Sequence, residues 1–172
     1  MCLAIETNEL TRHFGDVRAV DGLNLRVTRG SFYGFLGPNG AGKSTTIKML
    51  TGLLAPTGGR MTILGSDLGD SRGAVAAKAR IGVVPEDLPL FDNLTAREYL
   101  TFIGRMHLLP MDTVRTRAQE LLQMMDLDED EKKLVIEFSH GMKKKLALAA
   151  ALLPSPDLLF LDEPFEGIDV VS

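Results

Sequence analysis

A single cysteine, Cys2, stands in 172 residues, which excludes an internal disulfide and a thiolate metal cage. No apolar run reaches the roughly eighteen residues needed to cross a bilayer. The longest, LALAAALL at 146–153, is short and follows three lysines. A basic excess is missing too. The net charge is −4 and the isoelectric point about 5.4, so the chain offers no general nucleic-acid surface and no nucleic-acid partner is expected. The three histidines, His13, His107 and His140, have no metal-ligand spacing, and His13 and His107 read as surface or packing residues. Residues 1–10 hold two glutamates and no basic n-region, so no secretory leader is expected. No internal repeat is apparent. The expectation is a soluble intracellular domain, with 45% hydrophobic residues and length enough for one core.

What is present is concentrated at 37–45, GPNGAGKST. Gly37, Gly42, Lys43 and Ser44 fill the pattern G-x-x-x-x-G-K-[ST], with Pro38, Asn39, Gly40 and Ala41 between and Thr45 after. Glycines let successive backbone N–H groups curl around a phosphate without Cβ clashes. A helix beginning there aims its positive end and its unpaired N–H groups at the same anion. Lys43 brings a mobile charge to the outer phosphates, and the Ser44 hydroxyl suits Mg²⁺. The bland alternative is a chance glycine-rich turn, expected in on the order of one chain in a hundred. Context argues against chance. Residues 31–36, SFYGFL, read as a strand covered on both faces, and 45–54 place Ile47, Leu50 and Leu54 on one helical face.

Either side of this loop the pattern alternates between sheet and helix. LAIET opens a strand region, and GLNLRV at 22–27 alternates apolar and polar residues as a half-buried strand does. MTILG and IGVV read as further strands, with a short helix at 71–80 between them. From Asp87 the chain turns helical for about fifty residues. Thr95 followed by Glu98 is a capping box for a helix running toward Leu109, where Pro110 ends it. A second helix at 111–127 carries Val114, Ala118, Leu121, Leu122 and Met125 on one stripe, and a third runs from near Ser139 to Leu153. LLFLDEP then returns to an apolar strand ending in Asp162 and Glu163. The fold class expected is α/β, a P-loop NTPase with a parallel core sheet, an N-terminal antiparallel β region and a helical insert. The core would span 1–86 and 154–172, the helical subdomain 87–153.

Acids at the end of a buried parallel strand sit where such sheets bind ligands. Asp162 is suited to Mg²⁺ opposite Ser44, and Glu163 to polarising the attacking water as catalytic general base. Two exposed acids at a loop start would look the same in isolation. The upstream GPNGAGKST is what separates the two readings.

With both motifs in place the chain resembles the ATP-binding domain of ABC transporters, export-type members in particular, over essentially its whole length. FSHGM at 138–142 stands in the place of that family's LSGGQ signature, with Ser139 23 residues before Asp162. The resemblance implies that Ser139, His140, Gly141 and Met142 meet the γ-phosphate bound to an opposite subunit. His140 and Met142 depart from the usual glycine and glutamine. Phe14, 29 residues before Lys43, matches the family's adenine-stacking aromatic, and a lone Phe offers a base-tolerant π-face. Glu86 takes the Q-loop position, with a carboxylate where an amide is usual. Asp169 matches the D-loop aspartate. Implied with these are ATP and Mg²⁺ as cofactors, a second ATP-binding domain in a homodimer or heterodimer, and integral-membrane transporter subunits as partners. The implied location is cytoplasmic, peripheral on the inner face of the cell membrane.

The sequence ends at Ser172, nine residues after Glu163, and no histidine follows His140 where the family carries a switch histidine. The corresponding expectations are a C-terminally truncated domain with an exposed apolar sheet edge, and ATP binding that outlasts hydrolysis in these residues. Two other readings stay open. One is a nucleotide-binding module with little or no hydrolysis. The other is a soluble ABC ATPase acting on DNA or the ribosome, which the acidic charge and the lack of a coiled-coil insertion disfavour.

Overall fold

A computed structural model describes residues 2–162. The chain divides into two compact units, residues 1–81 and 82–172, each described by itself.

The first unit is built on one long strand. β1 (Leu3–Phe14) takes partners on both edges, antiparallel throughout. β4 (Gly58–Ile63) lies along one edge with Ile5 opposite Ile63 and Thr7 opposite Met61. On the other edge lie β2 (Val17–Leu23) and β3 (Arg26–Thr28), and β5 (Ser66–Asp67) extends the sheet beyond β4. Alternation buries Ile5, Leu10, Val27, Met61 and Ile63 on the inner face. The alternating segment 22–27 is expected as one strand, but it divides between β2 and β3. Gly22 has φ 62° and Glu9 on β1, which faces Asn24, has φ 47°, two left-handed residues where the ladder is interrupted locally. Side chains take over there. The Thr7 hydroxyl donates to Leu23 O at 2.8 Å and accepts from Leu25 N at 2.8 Å, while Asn24 Oδ1 accepts from Glu9 N at 2.9 Å. Burial still alternates at Leu25 and Val27.

Two further expectations in this unit are corrected. Residues 31–36 form no strand, and Phe32, Tyr33 and Leu36 are exposed. Their apolar, β-prone composition supplies propensity but not hydrogen bonds. A strand needs a neighbour's ladder, and in this unit both edges of β1 are already taken. The helix after the glycine loop is also shorter and rotated relative to the reading. α1 (Lys43–Leu50) buries Thr46, Met49 and Leu50, one helical stripe at i, i+3, i+4, in place of Ile47, Leu50 and Leu54. Thr51 closes it, and Gly52 at φ 69° turns the chain away. α2 (Ser71–Lys78) follows, capped by Asp70, whose carboxylate accepts from Gly73 N at 3.0 Å.

In the second unit β6 (Ile81–Val84) and β7 (Leu158–Leu161) form a two-stranded parallel sheet, joined by a helical crossover. β7 ends as it pairs: Asp162 N donates to Val84 O at 2.9 Å. The crossover holds α3 (Ala96–Met106), α4 (Met111–Met124) and α5 (His140–Leu152), with a single 3₁₀ turn at Val135–Glu137 before α5. The capping box is formed. Thr95 N and Oγ1 each donate to Glu98 Oε2 at 2.9 Å, and Glu98 N donates back to Thr95 Oγ1 at 3.2 Å. The stripes meet in one core of Leu100, Ala118, Leu122, Leu127, Val135 and Leu146, all fully buried. α3 and α4 come close at Gly104, where an added Cβ would lie 2.5 Å from Val114 Cγ2.

Candidate nucleotide site

The glycine loop is shaped by its backbone. Gly40 and Gly42 have φ of 81° and 82°, a left-handed region open to glycine at no steric cost. Gly42 is constrained a second time, since a Cβ there would sit 2.2 Å from Ala19 O on β2. The loop therefore rests directly on a strand backbone, and that contact fixes where α1 begins. Gly42 O receives both Thr46 N and Thr46 Oγ1 at 2.8 Å, which starts the helix. The first turn of α1 contains no acid, so nothing negative competes with an anion at the helix's positive end. Ala41 N donates to Pro38 O at 3.1 Å and tightens the turn.

Lys43 folds back across the loop, donating from Nζ to Gly37 O at 2.8 Å and to Pro38 O at 3.2 Å. These are neutral acceptors on an exposed surface. A phosphate oxygen, carrying full charge, makes a stronger acceptor for the same ammonium. The Lys43 ammonium is thereby held against the loop's own carbonyls. Ser44 and Thr45 are the next two residues of α1, both half-buried.

Phe14 ends β1 opposite Val17 at the turn into β2, and is 47% exposed. Ala19, the residue under Gly42, is two residues farther along β2 from Val17, roughly 7 Å at strand rise. Phe14 at the end of β1 and the Gly42 contact on β2 therefore lie at the same β1–β2 turn. One neighbour of Phe14 escaped the sequence reading. The Arg12 guanidinium carbon lies 4.6 Å from the ring centroid. The period of two in a strand, which puts residues 12 and 14 on one face, is the signal that points to it.

In the second unit, Asp162 follows β7 directly and is buried, whereas Glu86 is exposed in the bend after β6. Ser139 is the N-cap of α5, its hydroxyl accepting from Met142 N at 3.2 Å. It is exposed with His140, and Gly141 has open space where a Cβ would stand, 4.0 Å from Ser139 Oγ. Residues 139–142 thus begin a helix with its cap in solvent. His107 is exposed at the end of α3, and His13 is half-buried on β1. Glu163 and Asp169 lie outside the described residues.

Comparison with known proteins agrees with this geometry. Residues 20–166 match the ABC transporter family. A daunorubicin resistance ATP-binding protein of Streptomyces coeruleorubidus, DrrA3, is 43% identical over 166 residues, 96% of this chain and 52% of its own length. A bacitracin transport ATP-binding protein of Bacillus licheniformis, BcrA, is 42% identical over 172 residues, 55% of its length. The chain spans about half the length of these curated relatives. Among solved structures, CbiO1 of Clostridium perfringens, part of an ABC transporter complex, superposes with a TM-score of 0.84 at 30% identity, covering 98% of this chain and 68% of that one. The chain belongs to the ABC transporter family and has the P-loop α/β fold of its ATP-binding subunits.

Proposed function

We propose that this chain is the ATP-binding, ATP-hydrolysing part of an ABC exporter, coupling nucleotide turnover to transport through separate integral-membrane subunits. The observation that carries the proposal is the intact phosphate loop, with Gly42 seated on β2 and Lys43 at its rim, in a chain over 40% identical to drug-resistance and antibiotic-transport ATP-binding proteins. No helix among the described residues is long and apolar enough to cross a membrane, in keeping with a translocation path supplied by other chains. Peripheral attachment at the inner membrane face follows from such a pairing.

Within this reading the nucleotide is held by Phe14 at the base and by residues 37–45 at the phosphates. The donor set suits Mg²⁺, a hard cation that takes hydroxyl and carboxylate oxygens. Ser44 and Asp162 supply one of each, and bound Mg²⁺ would neutralise charge on the outer phosphates. Glu163 is the general base toward the attacking water. Ser139, His140, Gly141 and Met142 serve the nucleotide of a second ATP-binding domain, with Asp169 at the same interface. Glu86 lies toward the membrane subunits.

The pairing is tested by Glu163→Gln, which slows hydrolysis and so preserves the ATP-bound form. We expect ATP with Mg²⁺ to convert this variant from monomer to dimer by light scattering. Adding Ser139→Ala should prevent the dimer while leaving ATP binding by the monomer unchanged. A folded, ATP-saturated Glu163→Gln protein that stays monomeric would overturn the sandwich.

A further inference from the structure

Arg12 and Phe14 share a face of β1, and the guanidinium lies against the ring at 4.6 Å, well inside cation–π range. The arginine is held at its other end as well. Its Nη1 donates to Ala55 O at 2.8 Å, in the turn after α1. That turn is itself clamped to the end of β1, with Thr57 N donating to Thr11 O at 2.9 Å and His13 N donating to Thr57 Oγ1 at 3.2 Å. Arg12 Nε is sealed from solvent without a hydrogen-bond acceptor among the described residues, so the π-face is the compensation offered to that part of the guanidinium. One face of Phe14 is therefore covered by a fixed cation, while the ring remains half exposed.

We infer that Arg12 is the positioning residue of the base platform, covering one face of Phe14 so that a purine stacks on the opposite face. The inference rests on the reading of Phe14 as that platform. Two physical effects follow. The anchored guanidinium restricts the ring to one orientation, which reduces the ordering cost of stacking. A cation on one face also draws π-density toward itself, leaving the far face better matched to an electron-rich purine. A bare phenylalanine is base-tolerant; an arginine-backed one favours adenine-like rings. Because the contacts described for Arg12 are to the Phe14 ring and Ala55 O, its contribution belongs to the base half of the nucleotide alone.

The test compares ATP with inorganic tripolyphosphate, which fills the phosphate cradle but has no base. Arg12→Met keeps the stem length and removes the charge, and Arg12→Lys keeps a cation. Binding is measured by calorimetry on the full chain, with folding confirmed by thermal melting. We expect Arg12→Met to weaken ATP by about three- to tenfold, leave tripolyphosphate unchanged, and add nothing in a Phe14→Ala background. Arg12→Lys should recover part of the loss. Equal weakening of ATP and tripolyphosphate would overturn the inference, because a purely structural arginine disturbs both. So would an Arg12→Met effect of the same size with and without Phe14. A Phe14→Ala protein that binds ATP as the parent does would sink the platform itself, and the inference with it. A weakened Phe14→Ala beside an unaffected Arg12→Met would sink the inference alone.

Discussion

At the scale of single residues, the phosphate loop depends on a backbone contact as much as on its lysine. Gly42 meets two demands at once: a left-handed φ of 82° and a carbonyl where its side chain would begin. An alanine there costs about 1–2 kcal/mol for the backbone conformation alone, and the overlap with Ala19 O forces the loop off β2. We expect Gly42→Ala to abolish measurable ATP binding while the far-ultraviolet circular dichroism of the folded protein is retained. A Gly42→Ala protein with parental ATP affinity would show that the loop does not need this seat. The motif's residues were legible in the sequence because glycine and lysine at fixed offsets have few other uses. The seat was not, because the strand beneath Gly42 lies more than twenty positions earlier and bears no mark of the contact. Arg12 escaped for a related reason: a strand residue beside an aromatic is unremarkable until its side chain is seen to fold over the ring.

At the scale of elements, local signals transferred well wherever a helix could specify itself. Thr95 and Glu98 announce the start of α3 and form the reciprocal bonds expected of them. Those bonds, from the Thr95 backbone N–H first and its hydroxyl second, hold the Glu98 carboxyl below the ordinary carboxylate range. Its folded pKa being depressed, Glu98 contributes stability that is present above the ordinary carboxylate pKa and is lost as pH falls through the lowered value. Thr95→Ala removes the cap hydroxyl, and we expect a loss of about 1 kcal/mol near neutral pH by denaturant unfolding. The acid limb of the stability curve should flatten in the variant, since part of the depression goes with the hydroxyl. An unchanged midpoint at neutral pH would contradict the capping assignment. Strands behaved differently, because a strand is completed by partners the local sequence does not name. Residues 31–36 have the composition of a buried strand and no ladder within their unit. Segment 22–27 has the right alternation but is cut near Asn24, between a left-handed Gly22 and a left-handed Glu9 on β1. Helix α1 shows the intermediate case: its start was fixed by the motif, whereas its buried stripe was set by packing and turned by one residue.

At the scale of the whole molecule, fold class and family were within reach of the sequence because the motifs are ordered as well as present. A phosphate loop, a capped helical segment, SHG and an apolar strand ending in acids follow one another in the order the family resemblance implies. The matched family covers residues 20–166, and the relatives above 40% identity and the structural superposition span nearly all of the chain. In the proposed function, the Gly42–Lys43 loop holds the phosphates of ATP. Lys43 now spends its charge on two neutral carbonyls, and exchange for phosphate oxygens gains charge-assisted bonds. Titration calorimetry of the full chain with ATP and Mg²⁺, run beside Lys43→Ala, tests it most directly. The expected result is saturable binding at one site per chain, weakened by roughly ten- to a hundredfold in the variant. Equal ATP affinity in the two folded proteins, or no saturable binding by the parent chain, would contradict it.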